Sequence, residues 1–197
     1  MKALELRLAA LRAQFLPASF SGTGTYSSAQ LDNARAYRLL VHAEIESYLE
    51  SRALDLARSA FNRWSKSRKQ SRVLIHLLAN QVGEAKGLPN KMATGADVNT
   101  VVQKCRGQYE HAVRDNHGIK TANICNLLFP VGFLESDIDG AWLATVDGFG
   151  AARGAAAHGA SVTYTINPQD DFNIVKTIVA GLADIDATFS KLKRAMR

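Results

Sequence analysis

Residues 28–64 contain neither proline nor glycine, and nothing in that stretch interrupts a helix. Apolar side chains recur through it every three to four residues: Leu31, Ala34, Tyr37, Leu40, Val41, Ile45, Tyr48, Leu49, Ala53, Leu56, Ala60 and Phe61. That period describes a helix with one face in a core. At ~1.5 Å per residue it would run ~55 Å, more than a small domain needs, so the pattern predicts a bend or break within it.

The rest of the chain reads the same way. Residues 2–15 carry Leu4, Leu8, Leu11 and Phe15 on one stripe, and 19–28 are small and polar. This predicts an amphipathic arm over 1–18, a linker over 19–28 and a main body over 29–197. An apolar stripe on a detachable helix suits docking on a partner or a second protomer. A basic turn follows at 65–71, a helix at 72–82 and a loop at 83–95 with Gly87, Pro89 and Gly95. Asp97 or Asn99 is placed to cap a helix reaching Asn116, ended by Gly118. A short helix over 119–128 stops at Pro130 and Gly132, and Ser136 or Asp137 is placed to cap a helix over 138–158 that Gly159 ends. The alternation in 161–166 predicts at most one strand, and Asn167-Pro168 opens a last helix carrying Phe172, Val175, Ile178, Val179, Leu182, Ile185, Phe189 and Leu192. With no repeat and no βαβ alternation, the expected fold is all-α, an antiparallel bundle of four core helices with extras.

Composition narrows the function. No apolar run approaches the ~20 residues of a membrane span, and the charged, leucine-containing start does not read as a secretory signal. Two cysteines, Cys105 and Cys125, without a CxxC, exclude a disulfide scaffold and a cysteine zinc cluster and fit a reducing cytoplasm. The net charge of +6 permits a polyanionic partner without requiring one. Gly148-x-Gly150-x-x-Arg153 lacks the third glycine of a dinucleotide fingerprint, and Ser21-Gly22-Thr23-Gly24-Thr25 lacks a P-loop ending. His42 and Glu46 have ligand spacing but no evident third ligand, so neither a metal nor a cofactor is expected.

The unusual segment is 140–160, where Gly148, Gly150 and Gly154 interrupt a helical pattern rich in alanine. Each costs roughly 1 kcal/mol against alanine in a helix interior, which predicts a surface that something approaches closely. From it rise Arg153 and His158, with His158 in the last turn, where the helix dipole favours its protonated form. A permanently charged guanidinium beside an imidazole that titrates near neutrality is suited to gripping a phosphate and moving a proton. The same spacing also describes a histidine that stabilises a helix end and an arginine on a solvated face.

Arg153-Gly154-Ala155-Ala156-Ala157-His158-Gly159 resembles the Arg-x4–6-His motif of the HEPN superfamily, and lies near the end of a late helix as it does there. Residues 37–49, including His42-Ala43-Glu44-Ile45-Glu46, resemble an early helix of its RiboL-PSP-HEPN-like subgroup. Asn116-His117-Gly118-Ile119-Lys120, Asn123-Ile124, Leu127-Leu128 and Pro130-Val131-Gly132 are similar to that subgroup's middle. The likeness covers about 30–190. It implies a helical bundle that dimerises through the helix carrying Arg153 and His158, with two Arg–His pairs forming a cleft that cuts RNA without metal. It also implies a toxin or phage-defence setting, with an antitoxin or defence-system protein as partner. One departure is Gly154, where active members often carry Asn, Asp or His.

On this reading His158 acts as general base on the ribose 2′-hydroxyl or general acid on the leaving 5′-oxygen, and Arg153 stabilises the phosphorane charge. Glu46, one turn beyond His42, is placed to hold His158 in one tautomer or to orient Arg153; an exposed Glu–His pair is the alternative. The basic stretch 58–72 offers Arg63, Lys66, Arg68 and Lys69 to an RNA backbone and Trp64 to a base. It equally describes a solvated helix end or a dock for an acidic protein. A silent HEPN domain that binds RNA, a nucleotide or a protein, and a purely structural helical module, are the competing functions.

Overall fold

The computed structural model describes residues 1–84, 97–158 and 166–196, with side chains described over 1–80, 97–154 and 166–196. Among these the fold is all-α, with seven α-helices and no strand. They are α1 (Lys2–Phe15), α2 (Ser28–Ser67), α3 (Arg72–Glu84), α4 (Val98–Arg114), α5 (Thr121–Leu128), α6 (Gly140–His158) and α7 (Pro168–Arg194). The expected loop at 83–95 and extended stretch at 161–166 lie almost wholly outside the described residues. Of the bend or break expected in the long helix, a break is excluded: α2 is one helix of 40 residues. Its two halves serve different cores. The chain divides into one unit of Met1–Tyr48, Gly118–Ala122 and Ile138–Asp186, and another of Leu49–His117, Asn123–Asp137 and Ala187–Arg197.

In the first unit α2 buries Ala34, Tyr37, Val41 and Ile45, while Leu40, assigned to that stripe from its spacing, turns outward at 36% exposure. Arg38 and His42 are carried into the interior beside the stripe. Arg38 is stabilised there by a bidentate pair with buried Asp171 of α7, its Nε donating at 3.1 and 3.2 Å. Helix α1 is no loose arm. Leu4, Leu8 and Leu11 are buried, each worth about 1.5–3 kcal/mol on leaving water, and Arg7 pairs with Glu44 at 2.8 Å. The stripe that suited a partner is covered by its own chain. Helix α6 buries Trp142, Val146 and Phe149 at four- and three-residue spacing, and α7 buries Val175, Ile178, Leu182 and Ile185. Trp142 Nε1 donates to the Ile178 carbonyl at 2.9 Å, with its indole lying over Gly181.

The cap of α6 differs from expectation. Asp139 Oδ1 accepts the Trp142 N–H at 2.6 Å and so opens α6. Ser136 and Asp137 lie instead in a separate 3-10 turn, where Asp137 accepts the Leu134 N–H at 2.8 Å. Asn167 opens α7 as expected, accepting the Gln169 N–H at 2.9 Å.

The second unit buries Leu49, Ala53, Leu56, Ala57, Ala60 and Phe61 of α2, Val73, Leu74 and Leu77 of α3, and Val102, Cys105, Tyr109 and Val113 of α4 at three- and four-residue spacing. Arg68, at φ 56, ends α2 in the left-handed conformation. Gly132 does so at φ 98 for the 3-10 turn Phe129–Val131. Among the described residues no helix is long and apolar enough to cross a membrane.

Candidate functional site

The site grows from three segments of the first unit: α2, the link before α5, and α6. The helical period of α2 places His42 one turn before Glu46 on the same side. His42 is 2% exposed, so the exposed Glu–His pair allowed by the sequence is not what forms. Its ring stacks on Phe149 of α6, with centroids 6.5 Å apart and planes 25° apart. Glu46 spends one oxygen on the backbone N–H of Gly118, and its Oε2 stands 3.6 Å from His42 Nδ1. Gly118 has φ 129, a conformation glycine takes without strain, and this turns its N–H toward the carboxylate.

Arg153 comes from α6, one turn beyond Phe149, and is half-buried. Burial first, and the Arg153 guanidinium second, push the His42 imidazole down to about 4, so it is neutral at pH 7. Among the described residues, neither His42 Nδ1 nor Arg153 Nε has a hydrogen-bond partner, although both atoms are buried. A buried polar atom left without a partner is costly, and here two belong to side chains close enough for the charge of one to act on the other. The arrangement can hold an anion at the guanidinium and offer it a neutral imidazole.

Gly150 explains how α6 comes so close to the 118–122 segment. A Cβ there would lie 3.2 Å from Lys120 Cγ and 3.6 Å from the Lys120 nitrogen. Asp147, one turn earlier, accepts the Thr121 N–H at 2.8 Å and caps α5; that bond holds its carboxyl below the usual carboxylate range. Gly148 and Gly154 are different: a Cβ at either would meet nothing within 4 Å among the described residues. The glycine-rich surface is therefore a close approach within the chain at Gly150 and open at the other two.

Of the expected catalytic residues, Arg153 and Glu46 both face the His42 environment, Arg153 through its charge and Glu46 through Oε2. His158 is the last residue of α6, and its side chain lies outside the described residues. His42 is the residue sequence reasoning missed as part of this site, having been weighed only as a metal ligand or a surface pair. Its signal was its place beside Val41 and Ile45, at the edge of the buried stripe.

The expected RNA-binding residues belong to the second unit. Lys66 and Lys69 are exposed, and Arg63 and Trp64 are half-buried. Arg68 bonds to Asn99 and places its guanidinium 5.8 Å from the Trp64 ring centroid. The indole face offered to a base is thus already partnered by a cation. Arg58 is neutralised by Glu110, which also receives Arg106. Burial pushes the Cys105 thiol up to about 11, and Cys125 is raised by burial and by Glu135, so neither is an activated nucleophile. Among the described residues no three His, Cys, Asp or Glu side chains gather as a metal site would require. No family model, no curated protein and no solved structure matches the chain.

Proposed function

We propose that the chain is a metal-independent endoribonuclease of the HEPN kind, cleaving RNA by 2′-hydroxyl transesterification. The observation that carries the reading is Arg153, half-buried beside neutral His42 with its Nε unsatisfied among the described residues. A guanidinium so placed suits a phosphate, which its fork geometry matches. His158, five residues on and at the end of the same helix, supplies the titrating group.

In the proposed reaction two copies meet across α6. One His158 takes the proton from the 2′-hydroxyl, whose oxygen attacks the adjacent phosphorus. The P–O5′ bond breaks, and the second His158 returns a proton to the leaving oxygen. Arg153 stabilises the charge gathered on the phosphoryl oxygens. Glu46, anchored on Gly118, is a positioning residue that keeps the wall around His42 and Arg153 in place. Lys66 and Lys69 attract the RNA backbone. Such an activity fits a cytoplasmic toxin or phage-defence effector restrained by an antitoxin or another defence-system protein.

The test is incubation of the purified chain with total RNA in excess chelator, beside Arg153→Ala and His158→Ala. The expected products end in 2′,3′-cyclic phosphate and 5′-hydroxyl, with both variants inactive. Unchanged cleavage by the variants overturns the assignment. Gly154 favours one second reading. A side chain there would clash with nothing described, so the residue is not excluded by space and the missing polar group is a chemical difference. Retained RNA binding without cleavage selects that reading, a silent RNA-binding domain.

A further inference from the structure

The second unit contains a cleft of about 730 Å³ between α4, α5 and the end of α3. That size falls in the ~300–1,000 Å³ range of small-ligand sites. Its lining is chemically uneven. Six residues with side-chain carboxamides line it: Asn80, Gln103, Gln108, Asn116, Asn123 and Asn126. Among the described lining residues the one carboxylate, Asp115, is already bound to His111 at 2.6 Å. Lys104 is the remaining cation. Phe129, exposed at 36%, presents a flat apolar face.

Two observations indicate a built site. Two of the carboxamides are fixed in a chain: Asn123 Nδ2 donates to Asn116 Oδ1 at 3.2 Å, and Asn116 Nδ2 donates to Glu50 at 2.9 Å. The second is Gly107, in the middle of α4 and part of the lining. Its φ is not positive, and a Cβ there would meet nothing within 4 Å among the described residues, so neither a turn nor their packing calls for glycine. What the missing side chain provides is clearance along the helix, at the cost of a poor helix former.

We propose that this cleft binds an adenine nucleotide. Adenine presents a donor beside an acceptor on both its Watson–Crick and Hoogsteen edges, and a carboxamide carries the complementary acceptor and donor. Guanine's Hoogsteen edge offers two acceptors and calls for arginine or lysine instead, its Watson–Crick edge adds a second donor at N2 that one carboxamide leaves unpaired, and cytosine has the donor–acceptor pair on one edge only. Phe129 supplies a stacking face and Lys104 a charge for one phosphate, while Gly107 lets the ring lie against the helix. The same chemistry is met by free AMP and by an unpaired adenosine in an RNA strand.

Calorimetric titration of the full chain with AMP, GMP and a neutral disaccharide tests this. AMP is expected to bind, with GMP at least about 10-fold weaker. Gly107→Leu, which fills the floor and favours the helix, is expected to abolish AMP binding with its circular dichroism intact. Lys104→Gln is expected to weaken AMP and leave adenosine unchanged. An oligoadenylate titrated into the His158→Ala chain separates the sources: tighter binding than AMP assigns the site to a strand, and weaker binding assigns it to the free nucleotide. No binding of AMP at millimolar concentration, equal binding of AMP and GMP or of the disaccharide, or full AMP binding by Gly107→Leu overturns the proposal. The site does not depend on the Arg153 chemistry, so the His158→Ala chain is expected to bind AMP as the native chain does.

Discussion

Replacing Gly181 by alanine sets a small gain in helix propensity against a steric overlap of known size. In α7 the exchange alone favours the helix by ~1 kcal/mol. The new Cβ, however, would lie 2.1 Å from Trp142 Cδ1, 2.6 Å from Nε1 and 2.7 Å from Cγ. Carbon pairs are comfortable at ~3.5–4.0 Å, so the helices must part or the indole must move by more than ~1 Å. Trp142 is buried and tied to the Ile178 carbonyl, so moving it strains that hydrogen bond, worth about 1 kcal/mol, and disturbs the packing. Overpacking of this kind costs ~1–3 kcal/mol, and the net expectation is a destabilisation of about 2 kcal/mol. In a protein of this size that lowers Tm by roughly 4–8 °C. Gly148→Ala is the control: with nothing within 4 Å of its Cβ, it should stabilise by about 0.5–1 kcal/mol. Urea unfolding of both variants reads the difference. If Gly181→Ala is as stable as the native chain, the Trp142 contact does not govern this helix pair. In a Trp142→Ala background the same exchange should turn stabilising.

Other outcomes follow from the same packing. Asp171→Asn leaves the Arg38 guanidinium buried without its counter-charge and should cost about 3–5 kcal/mol in urea unfolding; a loss below 1 kcal/mol would count against the buried pair. His42 is held down to about 4 when folded and returns to 6.5 when unfolded, so the unfolded chain takes up the proton first as pH falls. Stability from this group is therefore full above 6.5 and lost toward 4, by about 3 kcal/mol, and His42→Asn should flatten unfolding free energy over that window. Lys66→Gln with Lys69→Gln should lower the salt dependence of RNA binding by about two counterions while leaving thermal stability unchanged.

The helices were legible because their stripes are local. Val175, Ile178, Leu182 and Ile185 announce the buried face of α7 by spacing alone, and Asn167-Pro168 announces its start. The caps of α5 and α6 were less so. Thr121 is capped by Asp147 from another helix, a contact with no sequence period. Ser136 and Asp137 have the same capping chemistry as Asp139 but close a turn of their own, and spacing alone does not separate the three. Leu40 shows the limit of periodicity, since position 41 already fills the stripe and 40 points away. The packing of α1 could not be read from its own stripe, because an apolar face does not say which chain covers it. At the site, Arg153 and Glu46 were chosen from spacing and resemblance. The place of His42 beside Val41 and Ile45 hints at its burial, but its stacking on Phe149, more than a hundred residues away, has no sequence signal. The partnering of Trp64 by Arg68 depends on the left-handed turn at Arg68, where sequence gave no glycine to mark it.

The measurement closest to the central claim is the chemical identity of the RNA ends formed by the purified chain under chelation. Termini carrying 2′,3′-cyclic phosphate and 5′-hydroxyl, absent with Arg153→Ala, are the result expected. Fragments bearing 5′-phosphate, or the same termini at the same rate from Arg153→Ala, would contradict it.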